Sequence, residues 1–122
     1  MKKEIAILGS TGSIGTTCLD IFKNNKNKFN IVLLSANSNY PLICKQIKVF
    51  KPQYYIISNK LVYNKVKNRF KNKKVKIYND FSDLNLKKKF DITVSSIVGI
   101  AGLSPTIKFV KYTKKILLAN KE

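Results

Sequence analysis

Residues 4–15 constrain this chain more than any other stretch. An apolar run, Ile5-Ala6-Ile7-Leu8, feeds directly into Gly9-Ser10-Thr11-Gly12-Ser13-Ile14-Gly15. The order reads as a strand, a glycine turn and the opening turn of a helix. A backbone without Cβ atoms lets an anion come close, and the unpaired N–H groups and dipole of a helix N-terminus point at it. The pyrophosphate of a dinucleotide is the natural guest. The spacing is G-x-x-G-x-x-G instead of the commoner G-x-G-x-x-G, so the loop has an extra residue and Thr11 and Ser13 add hydroxyl donors. A tight strand-to-helix turn with no ligand would use the same glycines, so the context must decide between the two.

That context is a β, α, β succession. After Gly15, Ile14, Cys18, Ile21 and Phe22 fall at one-sided helical spacing until the polar cluster 23–28, and Ile31-Val32-Leu33-Leu34 forms a second apolar, β-rich run. Such a continuous run suits a parallel strand covered on both faces. The chain then continues with a helix opened by Pro41 and carrying Leu42, Ile43, Ile47 and Phe50, a strand at 54–57, and a basic helix with Leu61, Val62, Val66 and Phe70 on its apolar face. A short strand at 75–78, a weak helix at 80–89 around Phe81, Leu84 and Leu86, and a strand at 92–95 follow. Next come a small-residue loop at 96–102, a helix at 103–112 and a last strand at 116–119. Alternating strands and helices predict an α/β fold: one Rossmann-like, doubly wound, mostly parallel sheet over residues 1–122. Ligands of such sheets bind beyond the carboxyl ends of the strands, which places the glycine loop, 37–39, 96–102 and 120–122 on one edge.

The end of the second strand bears on which dinucleotide fits. An NAD site usually places a carboxylate about 20 residues beyond the glycines to hold the ribose hydroxyls, where it would repel a 2′-phosphate. Here the positions read Ser35-Ala36-Asn37-Ser38-Asn39, hydroxyls and amides without a like charge, which favours NADP. The same residues suit a turn and a helix cap, and both roles can hold at once.

The formal net charge of +18 invites a nucleic-acid reading. Against it, 24 basic residues are spread through every segment and only one, Arg69, is an arginine, the residue on which base and phosphate recognition usually leans. Lys, Asn and Ile share A/T-rich codons, so the charge reads as a solvated surface drifted in a genome of low G+C content. No run is long enough to cross a membrane, and the few residues before Gly9 lack the core of a signal peptide, so a cytoplasmic location is expected. Two cysteines and no histidine exclude a disulfide framework and a metal centre of the usual donors; Cys18 and Cys44 are expected to pack as small hydrophobes.

Three blocks together resemble one family. Ile7 to Thr16, Ile97-Val98-Gly99-Ile100-Ala101-Gly102-Leu103 with Pro105-Thr106, and Leu118-Ala119-Asn120-Lys121-Glu122 make the sequence similar to the N-terminal, NADPH-binding domain of 1-deoxy-D-xylulose 5-phosphate reductoisomerases. These enzymes commit carbon to the non-mevalonate isoprenoid pathway by isomerising and reducing a ketose phosphate. The resemblance implies that Thr11, Gly12, Ser13 and Ile14 meet the cofactor phosphates and that Asn37, Ser38 and Asn39 meet the adenosine ribose and its 2′-phosphate. It implies also that Asn120 and Glu122 flank the nicotinamide and that Lys121 binds the sugar phosphate. Family members often have Gly where Asn37 stands and sometimes a basic residue where Ser38 stands; Asn tolerates positive φ, which would make the first change mild. The divalent metal, Mg or Mn, is held in the family by a catalytic domain that follows the Asn-Lys-Glu motif, and the family suggests a homodimer formed through that later part. No catalytic or metal-binding residue is therefore expected within residues 1–122. Two further readings stay open: a stand-alone nucleotide-binding module left by gene decay, and a basic nucleic-acid-binding protein.

Overall fold

The computed structural model describes residues 2–86, 89–97 and 103–119. In chain order they form β1 (Lys3–Leu8), α1 (Ser13–Lys23), β2 (Phe29–Ala36), α2 (Tyr40–Phe50), β3 (Tyr54–Ile57), α3 (Lys60–Arg69), β4 (Lys76–Tyr78), β5 (Ile92–Ser95), α4 (Leu103–Phe109) and β6 (Ile116–Leu118). All strand pairs are parallel, and the sheet order is β4-β3-β2-β1-β5-β6. The chain winds outward from β1 to β4, then crosses back and continues from β5 to β6 on the other side. The direction of winding reverses between β1 and β5, and at that point the carboxyl ends of the strands open a crevice. The expected α/β, doubly wound sheet is thus present, parallel in every pair.

The central strand explains the layering. Ile5, Ala6, Ile7 and Leu8 are all fully enclosed. Alternation sends Ile5 and Ile7 into one cluster with Leu34, Ile43 and Tyr55, and Ala6 and Leu8 into another with Leu33, Ile56 and Phe109. Burying a side chain the size of Leu8 contributes roughly 1.5–3 kcal/mol, so the strand that delivers the glycine loop is the best anchored.

Three local expectations are corrected. In α1 the buried stripe is Gly15 and Leu19, with Cys18 and Phe22 packed beside it, while Ile21 is 55% exposed. Steps of four and three residues from Gly15 reach Leu19 and Phe22, and Ile21 lies off that line. In α3, Val66 and Phe70 are buried but Leu61, in the first turn, projects into solvent. The helix expected at 80–89 is only a 3-10 turn, Phe81–Asp83, followed by extended chain at Leu84 (φ −76°, ψ 134°); residues 87 and 88 are outside the described set. The Asp80 carboxylate caps that turn by accepting the Ser82 N–H at 3.0 Å. Leu84 still reaches the second cluster, and Phe81 meets Phe109 edge-on with centroids 6.3 Å apart. Burial of the same apolar residues is achieved without a helix.

Beyond α4 a second 3-10 turn, Val110–Tyr112, leads into β6. β6 pairs with β5 on one side, and its Leu118 is 69% exposed. Among the described residues no helix is long and apolar enough to cross a membrane. Cys18 is half-buried and Cys44 buried, both as free thiols, and burial pushes the Cys18 thiol up.

Candidate functional site

The glycine loop is held from two neighbouring strands. Gly9 has φ +83°, a conformation that side chains disfavour. The N–H groups of Gly9 and Ser10 both donate to the Ser35 carbonyl, at 3.0 and 2.7 Å, and Gly9 N–H also lies 3.1 Å from Ser35 Oγ. From the other side Ser96 Oγ sits 2.9 Å from both the Leu8 and Gly9 carbonyls. A Cβ on Gly9 would stand 3.0 Å from Ser96 Oγ and 3.1 Å from Ile97 N, so the chain leaving β5 would have to give by a few tenths of an ångström to admit one.

The other two glycines differ from each other. A Cβ on Gly15 would overlap the Gly9 carbonyl oxygen and come 2.8 Å from Ser10 Cα, so Gly15 lets α1 rest directly on the loop. A Cβ on Gly12 would meet nothing nearer than Gly9 O at 3.8 Å, an ordinary contact. With φ −77° and ψ 174°, Gly12 also has a backbone conformation open to any residue. Packing within the protein therefore does not demand glycine at position 12. The missing side chain leaves room at the mouth of α1.

The approach leads to the N-terminus of α1. Gly12 provides no side-chain cap, and no acidic residue stands in the first turn. The hydroxyls of Thr16 and Thr17 turn back to the Ser13 carbonyl, at 3.0 and 2.9 Å, and leave the helix end uncovered. The first N–H groups of a helix have no partner inside it, and among the described residues no side-chain cap supplies one here. In front of them lies a groove of about 730 Å³.

Thr11, Gly12, Ser13, Ile14 and Asn37 line this groove, as the sequence led us to expect; Ser38 and Asn39 are exposed beside it and are not part of its wall. Asn39 Oδ1 caps α2 by accepting the Leu42 N–H at 3.3 Å. Asn37 Oδ1 lies 3.3 Å from the hydroxyl of Ser58, which donates toward it. Asn37 does not use the positive φ that the family pattern suggested, because Lys51 is the one non-glycine with positive φ among the described residues. Asn120, Lys121 and Glu122 lie outside the described residues, as does most of the loop at 96–102.

The wall also includes Ser96, from the loop expected on this edge, and Ser58, Asn79, Asp80 and Phe81, none of which was assigned to a site from the sequence. Asn79 Nδ2 donates to the carbonyls of Ile57 and Ser58, at 2.8 and 3.2 Å, and ties the ends of β3 and β4 together. The signal was available: a polar residue stands at or beside the carboxyl end of β2, β3, β4 and β5, at Ser35, Ser58, Asn79 and Ser96. Charge is notable by its placement. For a chain of net charge +18, the described groove wall contains no lysine, and its charged member is the carboxylate of Asp80. An anion here would be recognised by N–H and O–H groups, with the lysines acting only as a distant field.

The sequence profile of 1-deoxy-D-xylulose 5-phosphate reductoisomerase matches residues 5–122. The chain belongs to that family. The enzyme of that name from Pelagibacter ubique is 41% identical over 124 residues, covering 98% of this chain and 32% of the relative. Among solved structures, the reductoisomerase from Zymomonas mobilis in complex with NADPH superposes with a TM-score of 0.86 at 26% identity, covering 99% of this chain and 32% of that one. A reductoisomerase in complex with NADPH, fosmidomycin and magnesium gives 0.84 at 31% identity, over 98% of this chain and 30% of the other. The chain thus spans about a third of the length of the reductoisomerases it matches. Within that third, no three His, Cys, Asp or Glu side chains gather as they would to hold a metal ion among the described residues.

Proposed function

We propose that this chain is the NADPH-binding part of a reductoisomerase that converts 1-deoxy-D-xylulose 5-phosphate to 2-C-methyl-D-erythritol 4-phosphate. The observation that carries the cofactor reading is Gly12: a glycine that the protein's own packing does not require, at the mouth of an uncapped helix, on the groove at the sheet's switch point. Backbone N–H groups of residues 12–14 and the hydroxyls of Thr11 and Ser13 take the pyrophosphate. Asn37 donates its amide to the ribose or its 2′-phosphate, with Ser38 and Asn39 at the rim and no carboxylate among them to repel it. Asn120 and Glu122 flank the nicotinamide, and Lys121 neutralises an oxygen of the sugar phosphate substrate. When bound, NADPH supplies the hydride. The protein orients it and keeps its phosphates on one edge of the sheet. The reading extends to a cytoplasmic homodimer whose metal ligands come from the part of the enzyme that follows this domain.

Titration of the chain with NADPH and NADH at equal ionic strength, followed by nicotinamide fluorescence, tests the cofactor reading. NADPH should bind more tightly by about tenfold or more, the size of one charge-assisted contact. Equal affinities would refute it. A salt series separates a formed site from general attraction to polyanions, since the latter declines steeply and alike for NADPH, ATP and oligonucleotides.

A further inference from the structure

The glycine loop has one polar residue that solvent does not reach. Ser10 is fully enclosed, and each of its polar groups is engaged. Its N–H donates to the Ser35 carbonyl at 2.7 Å, its carbonyl accepts from Gln46 Nε2 at 2.9 Å, and its hydroxyl donates to Gln46 Oε1 at 2.8 Å. The Tyr55 hydroxyl donates to the same Gln46 oxygen at 2.8 Å and lies 3.0 Å from Ser10 Oγ. Gln46 and Tyr55 are themselves buried. Loop, α2 and β3 therefore meet in a closed polar triangle inside an otherwise apolar layer.

Such a triangle is a costly way to fill space. A buried amide or hydroxyl without its partner loses roughly 1–3 kcal/mol, so apolar side chains would pack α2 on the sheet with less risk. What a fully satisfied network adds is a single allowed arrangement. Here the arrangement ends on the main chain of the loop, because Gln46 holds both the carbonyl and the hydroxyl of residue 10. Ser10 Cα is in turn the floor on which α1 rests, 2.8 Å from where a Gly15 Cβ would be. Burial also pushes the Tyr55 phenol up, so it remains a donor across the neutral range.

We propose that Gln46 and Tyr55 are positioning residues: acting through Ser10, they fix the first turn of α1 so that its N–H groups converge on the pyrophosphate of the dinucleotide. The proposal rests on the cofactor reading given above and adds residues that do not touch the ligand. Disturbing the triangle should weaken a ligand that needs the pyrophosphate loop and spare one that uses only the ribose 2′-phosphate end.

NMR titrations of the chain and its Gln46→Met and Ser10→Ala variants with NADPH and with 2′-AMP, which lacks the pyrophosphate, make the test. The same spectra report whether each variant is folded. For Gln46→Met the affinity for NADPH should fall about tenfold and for Ser10→Ala about threefold, the sizes of a multiple and a single hydrogen-bond loss, while 2′-AMP changes less than about twofold. Equal losses for both ligands, or an unchanged NADPH affinity in folded Gln46→Met, would overturn the proposal and leave the triangle a packing device. Should Gln46→Met not fold, Ser10→Ala decides by the same comparison: a selective loss supports positioning, and an equal loss or none overturns it. An unmodified chain that does not bind NADPH refutes the cofactor reading itself, and the proposal with it.

Discussion

At the start of α3 the Asn59 side chain accepts the Val62 N–H at 3.0 Å, and at the start of α2 Asn39 accepts that of Leu42 at 3.3 Å. At the start of α1 the corresponding residue is Gly12, which has no side chain to offer. A side-chain cap is worth about 1 kcal/mol, so α1 forgoes a stabilisation that its neighbours take. The two capped helices satisfy their ends from their own sequence and serve as scaffold. On the proposed reading α1 leaves its end to a guest, and the glycines sort accordingly: Gly15 is required by packing and Gly9 by its positive φ, whereas nothing inside the protein requires Gly12.

Four substitutions break or sharpen that contrast. Gly15→Ala strikes the packing side: its Cβ would displace the Gly9 carbonyl and Ser10, and a clash with backbone is relieved only by moving α1. A loss of about 3 kcal/mol or more in denaturant unfolding is expected, together with loss of nucleotide binding. Gly12→Asp gives α1 the cap that α2 and α3 have. It should leave stability unchanged or raise it by up to about 1 kcal/mol, while lowering NADPH affinity at least about a hundredfold, because a carboxylate then occupies the anion's place. Parallel unfolding and titration curves measure both, and a variant that binds as well as the parent would show that α1's end is not the anion site. Asn59→Ala removes a scaffold cap: about 1 kcal/mol of stability should be lost, with NADPH affinity within about twofold of the parent. The smallest effect belongs to Asp91, at the far end of the sheet. Its carboxylate accepts the Glu4 N–H at 2.8 Å and pairs with Lys114 at 3.3 Å; these contacts hold its pKa below the usual value, the backbone hydrogen bond most of all. A carboxyl depressed in the folded state stabilises above its unfolded pKa and loses that contribution as pH falls. Asp91→Asn should therefore lower Tm slightly at pH 7, and the gap should close below about pH 4. A gap independent of pH would assign the effect to packing.

The strands could be read from the sequence because most are compact apolar runs followed by a glycine or a polar residue, and the glycine loop because its spacing has a mechanical meaning. The groove that forms the candidate site was legible where one local stretch carried it: Thr11 to Ile14 and Asn37 line it. It was illegible where the contact spans the chain. Helical spacing from Ile43 and toward Phe50 puts Gln46 on the inward face of α2, but that a glutamine there is matched by Ser10, 36 residues earlier, is something no local pattern shows. The helix expected at 80–89 failed for a related reason. Phe81 and Leu84 have helical spacing, but their burial is decided by Phe109 and its neighbours, which a local pattern cannot see.

The outer edge of β6 has a further consequence, for how copies of this chain behave together. Exposed Leu117 and Leu118 lie on a short strand whose outer backbone groups have no partner strand among the described residues, the kind of edge that joins to another of its own. Lys114 and Lys115 stand directly before it on a molecule of charge +18. Repulsion between like charges is the guard on that edge, and it reaches only about 10 Å at 0.1 M salt and about 3 Å at 1 M. Copies of the domain are therefore expected to stay apart in dilute buffer and to join through this edge in concentrated salt, which light scattering over a salt series would read.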